Sequence, residues 1–352
     1  MVSSRLLTVS RCPECRRPIE SGGGASACPG CGRTFPHEGA GFIDLRPIAA
    51  FAETTKYTDE ALHADARHER VSPPLLGAGV RNGMLRRFLR LTPGDRVVDL
   101  GCGSGRMLAW NREAGAWLVG VDVSPFFAHE ALADVDLVLG DLRQLPFDAG
   151  TFNKAWSLDV FEHLSKDSLV GMLREAARVL EPGGQLFVYS HVRKNSRLAG
   201  GLRAINRFAR LLERAGLVDL GQERLRKSDH VNPLADVPDL ERTVALAGFR
   251  IEKIRYYTPL IGGVIENILM RVTERFLARR AATRLPDASR ADATAGVREA
   301  RLAAKQRIAR GGLVYRGLQA ATSLMKLDVV LFGRIRSGPF FALLVKDDGR
   351  GA

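Results

Sequence analysis

Cysteine is scarce in this chain of 352 residues: there are five, too few for a disulfide scaffold of that length. No stretch approaches the roughly 18 consecutive apolar residues that a membrane-crossing helix needs, which excludes a spanning protein. The opening Met1-Val-Ser-Ser-Arg-Leu-Leu-Thr-Val-Ser-Arg-Cys12 lacks the apolar centre and small-residue cleavage site of a secretion signal, so the cytoplasm is the expected compartment. The composition of a disordered chain is missing too, since 45% of residues are hydrophobic and 26% charged. At this length one large or two unequal domains are expected.

Acidic residues are outnumbered, 39 against 52 Lys and Arg, for a net charge of +13. The excess is local: residues 191–227 carry a net +7 and residues 266–336 a net +9, leaving −3 for the rest. Such concentration points to a surface that meets something anionic, nucleic acid or a lipid headgroup layer. A solvated charged face without a ligand is the open alternative.

Four of the five cysteines fall in the first 31 residues, as Cys12-Pro-Glu-Cys15 and Cys28-Pro-Gly-Cys31. A two-residue spacer aims both thiolates of a pair at one point, and two such knuckles complete a tetrahedral four-sulfur site for zinc. Two disulfides or a redox pair compete with this reading; a reducing compartment and the paired knuckles favour zinc. Cys12, Cys15, Cys28 and Cys31 would leave the ion no open position, making it structural. His37 reads as a turn residue, not a fifth ligand.

From residue 81 onward, short β-rich runs alternate with helical patterns, the mark of a parallel sheet with crossover helices. Arg96-Val-Val-Asp-Leu100 reads as the first strand and Trp117-Leu-Val-Gly-Val-Asp122 as the second. Strands are also expected over 136–140, 152–157, 184–190, 249–258 and 339–346, with a helix over 166–180. A helix is expected to run from the glycine loop to about residue 115, and Ser124-Pro125 to cap and start the next. Between the first strand and its helix, Gly101, Gly103 and Gly105 allow a sharp turn and a close backbone approach to a ligand. The third glycine comes one residue too early for a dinucleotide loop. Asp99, two residues before the first glycine, would repel a pyrophosphate but suits an ammonium or sulfonium group. Asp122 ends the second strand where a carboxylate accepts ribose hydroxyls, and Asp141 follows the third strand, placed to meet an adenine edge. Three acids at successive strand ends describe an adenosine with a cationic tail.

Val97-Val-Asp-Leu-Gly-Cys-Gly-Ser-Gly-Arg106, Gly120-Val-Asp-Val-Ser-Pro125, Gly140-Asp-Leu-Arg-Gln-Leu-Pro-Phe-Asp148, Phe152-Asn-Lys-Ala-Trp-Ser-Leu-Asp-Val-Phe-Glu-His-Leu164 and Val179-Leu-Glu-Pro-Gly-Gly-Gln-Leu-Phe-Val188 together resemble the class I S-adenosylmethionine-dependent methyltransferases. The likeness is greatest to the ubiquinone and menaquinone methyltransferase subgroup, over roughly residues 80–258 and the last strand. It implies an α/β, Rossmann-like sheet of seven strands in the order 3-2-1-4-5-7-6, the seventh antiparallel. It also implies that Asp99 and the glycines hold the methionine end of S-adenosylmethionine and that Asp122 binds the ribose. Val123 would pack on adenine, Asp141 and the Leu142 backbone would read the base, and Ser157 would complete the cofactor set. The cysteine-rich N-terminus resembles the zinc-ribbon modules fused ahead of many bacterial methyltransferases, which are similar to the activator subunit of tRNA and rRNA methyltransferases. The implied organisation is a ribbon at 1–47, a linker with lid helices at 48–80, a core at 81–258 with 337–348, and a basic helical insertion at 259–336.

A sulfonium methyl is already activated, so its transfer needs alignment and exclusion of water more than strong acid–base help. The Asn/Asp-Pro-Pro-aromatic loop of base-amine methyltransferases is replaced by Ser157-Leu-Asp-Val-Phe-Glu-His163, which favours a small or lipid-linked acceptor methylated on O, N or C. His163, His191 and His230 are the candidates for a base; a structural histidine is the competing reading of each. Amphipathic helices are expected over 198–214, 260–280 and 301–327, with a weakly patterned linker at 281–300. They would serve as a lid, as a contact with an anionic membrane at its inner face, or as an RNA grip. Few aromatics accompany their arginines, which argues against RNA. An rRNA or tRNA methyltransferase holding RNA with its ribbon and basic helices is the alternative function. A zinc protein that binds S-adenosylmethionine without turnover is a second.

Overall fold

The computed structural model describes residues 2–22, 24–37, 39, 41–48, 71–194, 198–218, 230–273 and 312–347. The expected linker at 281–300, residues 301–311 of the expected third helix, and residues 49–70 lie outside them.

The chain begins with α1 (Ser4–Val9), three short antiparallel strands β1 (Glu20–Ser21), β2 (Ala25–Ala27) and β3 (Thr34–Pro36), and then β4 (Ile43–Asp44). After α2 (Leu76–Leu89) come β5 (Arg96–Leu100), α3 (Arg106–Asn111), β6 (Trp117–Asp122), α4 (His129–Asp134), β7 (Asp136–Leu139) and β8 (Phe152–Leu158). α5 (Lys166–Val179), β9 (Leu180–His191), α6 (Ala199–Arg214), α7 (Val237–Ala245) and β10 (Phe249–Tyr256) follow. The chain closes with α8 (Leu260–Val264), α9 (Leu313–Phe332) and β11 (Pro339–Lys346).

The central sheet runs β10-β11-β9-β8-β5-β6-β7-β4, parallel except for β11, which is antiparallel to both of its neighbours. It has eight strands where seven were expected. The extra one, β4, comes from the N-terminal module and pairs parallel with β7 through Ile43 and Asp44.

Period-two alternation sends successive strand residues to opposite faces. Val98 joins Leu169, Met172 and Leu173 of α5 on one face. Its neighbour Val97 joins Val80, Leu85 and Phe88 of α2 and Met325 of α9 on the other. α5 forms because its apolar residues recur at helical spacing and Ser165 caps it, accepting the Ser168 N–H. The N-terminal module shares this core: Leu6, Leu7, Phe35, Ile43 and Leu45 are buried with the α5 face. Ser3 caps α1 and donates to Asp136 of β7 at 2.6 Å, and the Arg5 guanidinium lies 4.3 Å from the Trp117 ring centroid.

Several expectations shift. The helix after the glycine loop ends at Asn111, with a single 3-10 turn to Ala114. Ser124-Pro125 does not start a helix: the Ser124 N–H is bound to Asp122 Oδ1 at 2.9 Å, and α4 begins only at His129. α2 runs unbroken across the boundary expected at 80/81. Of the helix expected over 260–280, residues 260–273 are described and are helical throughout, as α8, a π turn over Ile265–Met270 and a last turn to 273; 274–280 lie outside the described residues. α9 ends at Phe332, five residues beyond the expected 327. Asp328 explains why the helix extends there: it is fully buried and accepts the Ile261 and Gly262 N–H groups at 3.0 and 2.8 Å, closing off the start of α8.

Candidate functional site

The glycine loop joins β5 to α3. Gly101, Gly103 and Gly105 have φ of +82°, +54° and +77°, all in the left-handed region that favours glycine. The Gly101 and Cys102 N–H groups both donate to the Val121 carbonyl, pinning the loop to β6. A Cβ on Gly101 would lie 2.5 Å from Val160 Cγ2, and one on Gly105 2.8 Å from Ala131 Cβ. Gly103 has nothing within 4 Å on that side. Two glycines are therefore required by packing, and the middle one borders open space.

Asp99 is buried near the end of β5, and burial pushes its carboxyl up to about 8, helped by the negative charge of Asp122. The Trp156 indole acts in the opposite sense without closing a hydrogen bond of good geometry. Burial also raises the Asp122 carboxyl, which accepts the Ser124 N–H at 2.9 Å and the Gly103 N–H at 2.7 Å. What holds the Asp99 proton is burial and a neighbouring negative charge, so a positively charged ligand is the complement that this pair of acids lacks. The donor set thus fits a sulfonium nucleoside.

The remaining expected contacts fare unevenly. Both oxygens of Asp141 are engaged by the Arg143 side chain, with Arg143 Nη2 at 2.8 Å from Oδ2. An adenine edge would meet an ion pair there, not a lone carboxylate. Val123 is half-buried, and its carbonyl accepts from Arg46 of the N-terminal module at 3.2 Å. Leu142 packs half-buried at the edge of the core. Ser157 is fully buried and its hydroxyl donates to the Leu100 carbonyl at 2.9 Å, tying β8 to β5. Its side chain is spent inside the sheet.

The three candidate histidines, distant in sequence, meet at the carboxyl ends of β8 and β9. Asp159 takes φ +56° directly after β8 and donates its N–H to the Tyr189 carbonyl, and the chain then makes a 3-10 turn, Phe161–His163. The Glu162 carbonyl accepts the N–H groups of Val231 and Asn232 at 2.8 and 3.0 Å, which docks the His230 loop onto the turn. The His163 and His230 rings are 4.8 Å apart between centroids, and those of His191 and His230 5.5 Å. Glu162 Oε2 accepts the Ser190 hydroxyl at 2.8 Å, and Oε1 lies 3.9 Å from His191 Nδ1. Burial, with the charge of Asp159, pushes the Glu162 carboxyl up to about 7.

Sequence reasoning missed Glu162, Asp159 and Arg81. Arg81, on α2, lies 3.6 Å from Asp159 and 5.4 Å from the Tyr189 ring centroid. Burial holds the phenols of Tyr189 and Tyr257 well above their ordinary range. The Glu-His pair itself was visible as a dipeptide; nothing local in the sequence said that residue 230 would fold back onto it.

The cysteines also converge. Cys12 Sγ is 3.6 Å from Cys31 Sγ, Cys15 Sγ is 3.3 Å from Cys28 Sγ, and all four sulfurs lie within 4.8 Å of one another. These separations far exceed the roughly 2.05 Å of a disulfide. The two knuckles repeat one another: Cys12 and Cys28 donate to the carbonyls of Arg17 and Arg33, and accept from the N–H groups of Arg16 and Gly32. Arg16 and Gly32, at φ +61° and +75°, make the same left-handed turn. His37 contacts Ser26 Oγ at 3.1 Å and is not in the cluster.

A family profile described as a methyltransferase domain matches residues 98–188. The chain is 30% identical over 195 residues to the methyltransferase GfsG of Streptomyces halstedii, a match that covers 47% of this chain and 69% of that one. It is 39% identical over 104 residues to the demethylmenaquinone methyltransferase of Mycolicibacterium vanbaalenii, covering 29% of this chain and 45% of that protein. The chain thus spans less than half of the latter's length. Among solved structures, phosphoethanolamine N-methyltransferase 2 of Haemonchus contortus, in complex with S-adenosyl-L-methionine, aligns with a TM-score of 0.47 at 20% identity, over 83% of this chain and 58% of that one.

Proposed function

The chain belongs to the class I S-adenosylmethionine-dependent methyltransferases, and from that footing we propose that it methylates a small or lipid-linked acceptor on oxygen, nitrogen or carbon. The observation that carries this reading is the pairing of two acids at the glycine loop, the buried Asp99 and the half-buried Asp122, with a cluster of three histidines beside it. Val160 links the two, lying over Gly101 and only two residues from Glu162.

The cofactor supplies a methyl group already activated on a sulfonium. Asp122 would bind the ribose, Asp99 would supply the negative charge opposite the sulfonium end, and Val123 and Leu142 would flank the base. His163, His191 and His230 are placed to take a proton from a hydroxyl acceptor. Tyr189 and Tyr257, packed around Phe341 at ring-centroid distances of 4.8 and 5.7 Å, would wall the acceptor side and exclude water. The match to a demethylmenaquinone methyltransferase over the motif region supports the quinone-methylating subgroup and a lipophilic acceptor. So do the outward-facing Leu313, Val314, Leu324, Leu327, Val330 and Leu331 of α9, which suit an anionic membrane surface. Zinc on Cys12, Cys15, Cys28 and Cys31 would be structural.

The test is transfer of labelled methyl from S-adenosylmethionine into a cell extract that is then fractionated. Label in the lipid or small-molecule pool is expected; label in RNA would sink the reading. Calorimetry of the Asp122→Ala variant should show cofactor binding at least tenfold weaker, from the loss of charge-assisted hydrogen bonds.

A further inference from the structure

We propose that Arg46, from the N-terminal module, is a positioning residue for the cofactor: it fixes the peptide that aims the Asp122 carboxylate at the ribose. The parallel pairing of β4 with β7 sets Asp44 opposite Leu139, and the Leu45 N–H donates to the Leu139 carbonyl at 2.8 Å. Arg46 therefore emerges at the carboxyl edge of the sheet, beside the turns that follow β7 and β6. Its Nη1 donates to the Val123 carbonyl at 3.2 Å. That contact reaches past β7 to a strand roughly 10 Å away, which needs one of the longest side chains.

The Val123 carbonyl and the Ser124 N–H belong to one planar peptide. Arg46 holds its oxygen, and Asp122 Oδ1 accepts its N–H at 2.9 Å. Rotating that plane would break one bond or the other, so the guanidinium orients the carboxylate through a single rigid unit. Asp122 Oδ2 accepts the Gly103 N–H at 2.7 Å, which ties the same side chain to the glycine loop.

The guanidinium is itself held. Asp44 Oδ1 accepts from Arg46 Nε at 2.9 Å and Asp44 Oδ2 from Nη2 at 2.6 Å, a fork that directs Nη1 to Val123. The Arg46 carbonyl accepts from Arg33 Nη2 at 2.8 Å. Arg33 Nη1 donates at 2.6 Å to Glu14, which stands between the first pair of cysteines. That knuckle also supports the turn after β7: Arg16 Nη1 donates to the Leu145 carbonyl at 2.7 Å, and Gln144 donates to the Pro13 carbonyl. Arg46 and Asp44 carry opposite charges, so what they supply to Asp122 is orientation, not a net field.

The inference rests on the reading of Asp122 as the ribose ligand. Calorimetry of the full-length chain with S-adenosylmethionine and with S-adenosylhomocysteine tests it, since both carry the ribose and only the first a sulfonium. Arg46→Met and Asp44→Asn should each weaken both ligands about tenfold. The double variant should lose no more, because the same contact is broken in every case. Arg5→Met removes the module's contact with Trp117, at the other end of β6, and should leave both affinities unchanged. Urea unfolding of each variant reports that the fold is intact. A wild-type chain that binds neither ligand overturns the methyltransferase reading and the proposal with it. Wild-type binding that Arg46→Met and Asp44→Asn leave unchanged overturns the proposal alone. So does a loss confined to S-adenosylmethionine, or one that Arg5→Met reproduces.

Discussion

At the scale of single residues the glycine loop and its acids set the behaviour. Asp99 titrates at about 8 in the folded chain, against an ordinary 3.8. Between those limits the folded state holds a proton that the unfolded state has released, so raising the pH across that window destabilises the ligand-free protein. The urea midpoint should fall from pH 5 to pH 8, and Asp99→Asn should flatten the slope; an equal slope in both proteins refutes the assignment. A sulfonium ligand favours the ionised carboxyl, so its affinity should rise with pH over the same range. Gly101→Ala meets two obstacles together, a left-handed backbone and the Val160 methyl 2.5 Å from its new Cβ. A loss of about 1–3 kcal/mol is expected in denaturant unfolding, together with weaker cofactor binding. These residues were readable in advance because their chemistry is local: a glycine that must turn and an acid that ends a strand carry their meaning within a few positions. Asp141 and Ser157 were not. Arg143 claims one and the Leu100 carbonyl claims the other, partners that only the folded arrangement supplies.

At the scale of elements, β5, β6 and β11 follow the limits read from their apolar runs. Strands buried on both faces announce themselves in that way. β4 could not be foreseen. Two residues carry no periodic signal, and Ile43-Asp44 is a strand only because β7 offers it a free edge. The extent of α9 was hidden for a related reason, since Asp328 looks like a solvent residue until its two backbone partners are known. The histidine cluster joins the turn after β8 to a loop 67 residues later, and sequence alone supplied its members without their meeting. Deleting residues 1–47 would strip β4 from β7, whose four residues are all buried, and remove Phe35 and Leu6 from the core. The shortened chain should sediment as aggregate, because an uncovered apolar strand edge pairs with other chains. A truncated protein that stays monomeric would show the module to be an independent appendage.

At the scale of the whole molecule, charge and apolar surface coincide. No helix among the described residues is long and apolar enough to cross a membrane. α9 nevertheless carries six exposed large apolar side chains, and Arg334 and Arg336 follow it directly. Flotation with vesicles containing anionic lipid should bring the protein up at low salt, and less so at 0.5 M salt because the charge component is screened. Leu313→Asp with Val330→Asp should abolish flotation while leaving cofactor affinity unchanged. Recovery of the variant in the floating fraction would assign the attachment elsewhere.

The four-cysteine module supplies the edge strand β4 of the central sheet, so a zinc ion bound there would stand guard over an enzyme it never touches chemically. Starvation for zinc would then act on abundance before it acted on turnover: the β7 margin would be laid bare, and quality-control proteases would remove the chain. The amount of enzyme in a cell would follow the supply of an ion that takes no part in its reaction.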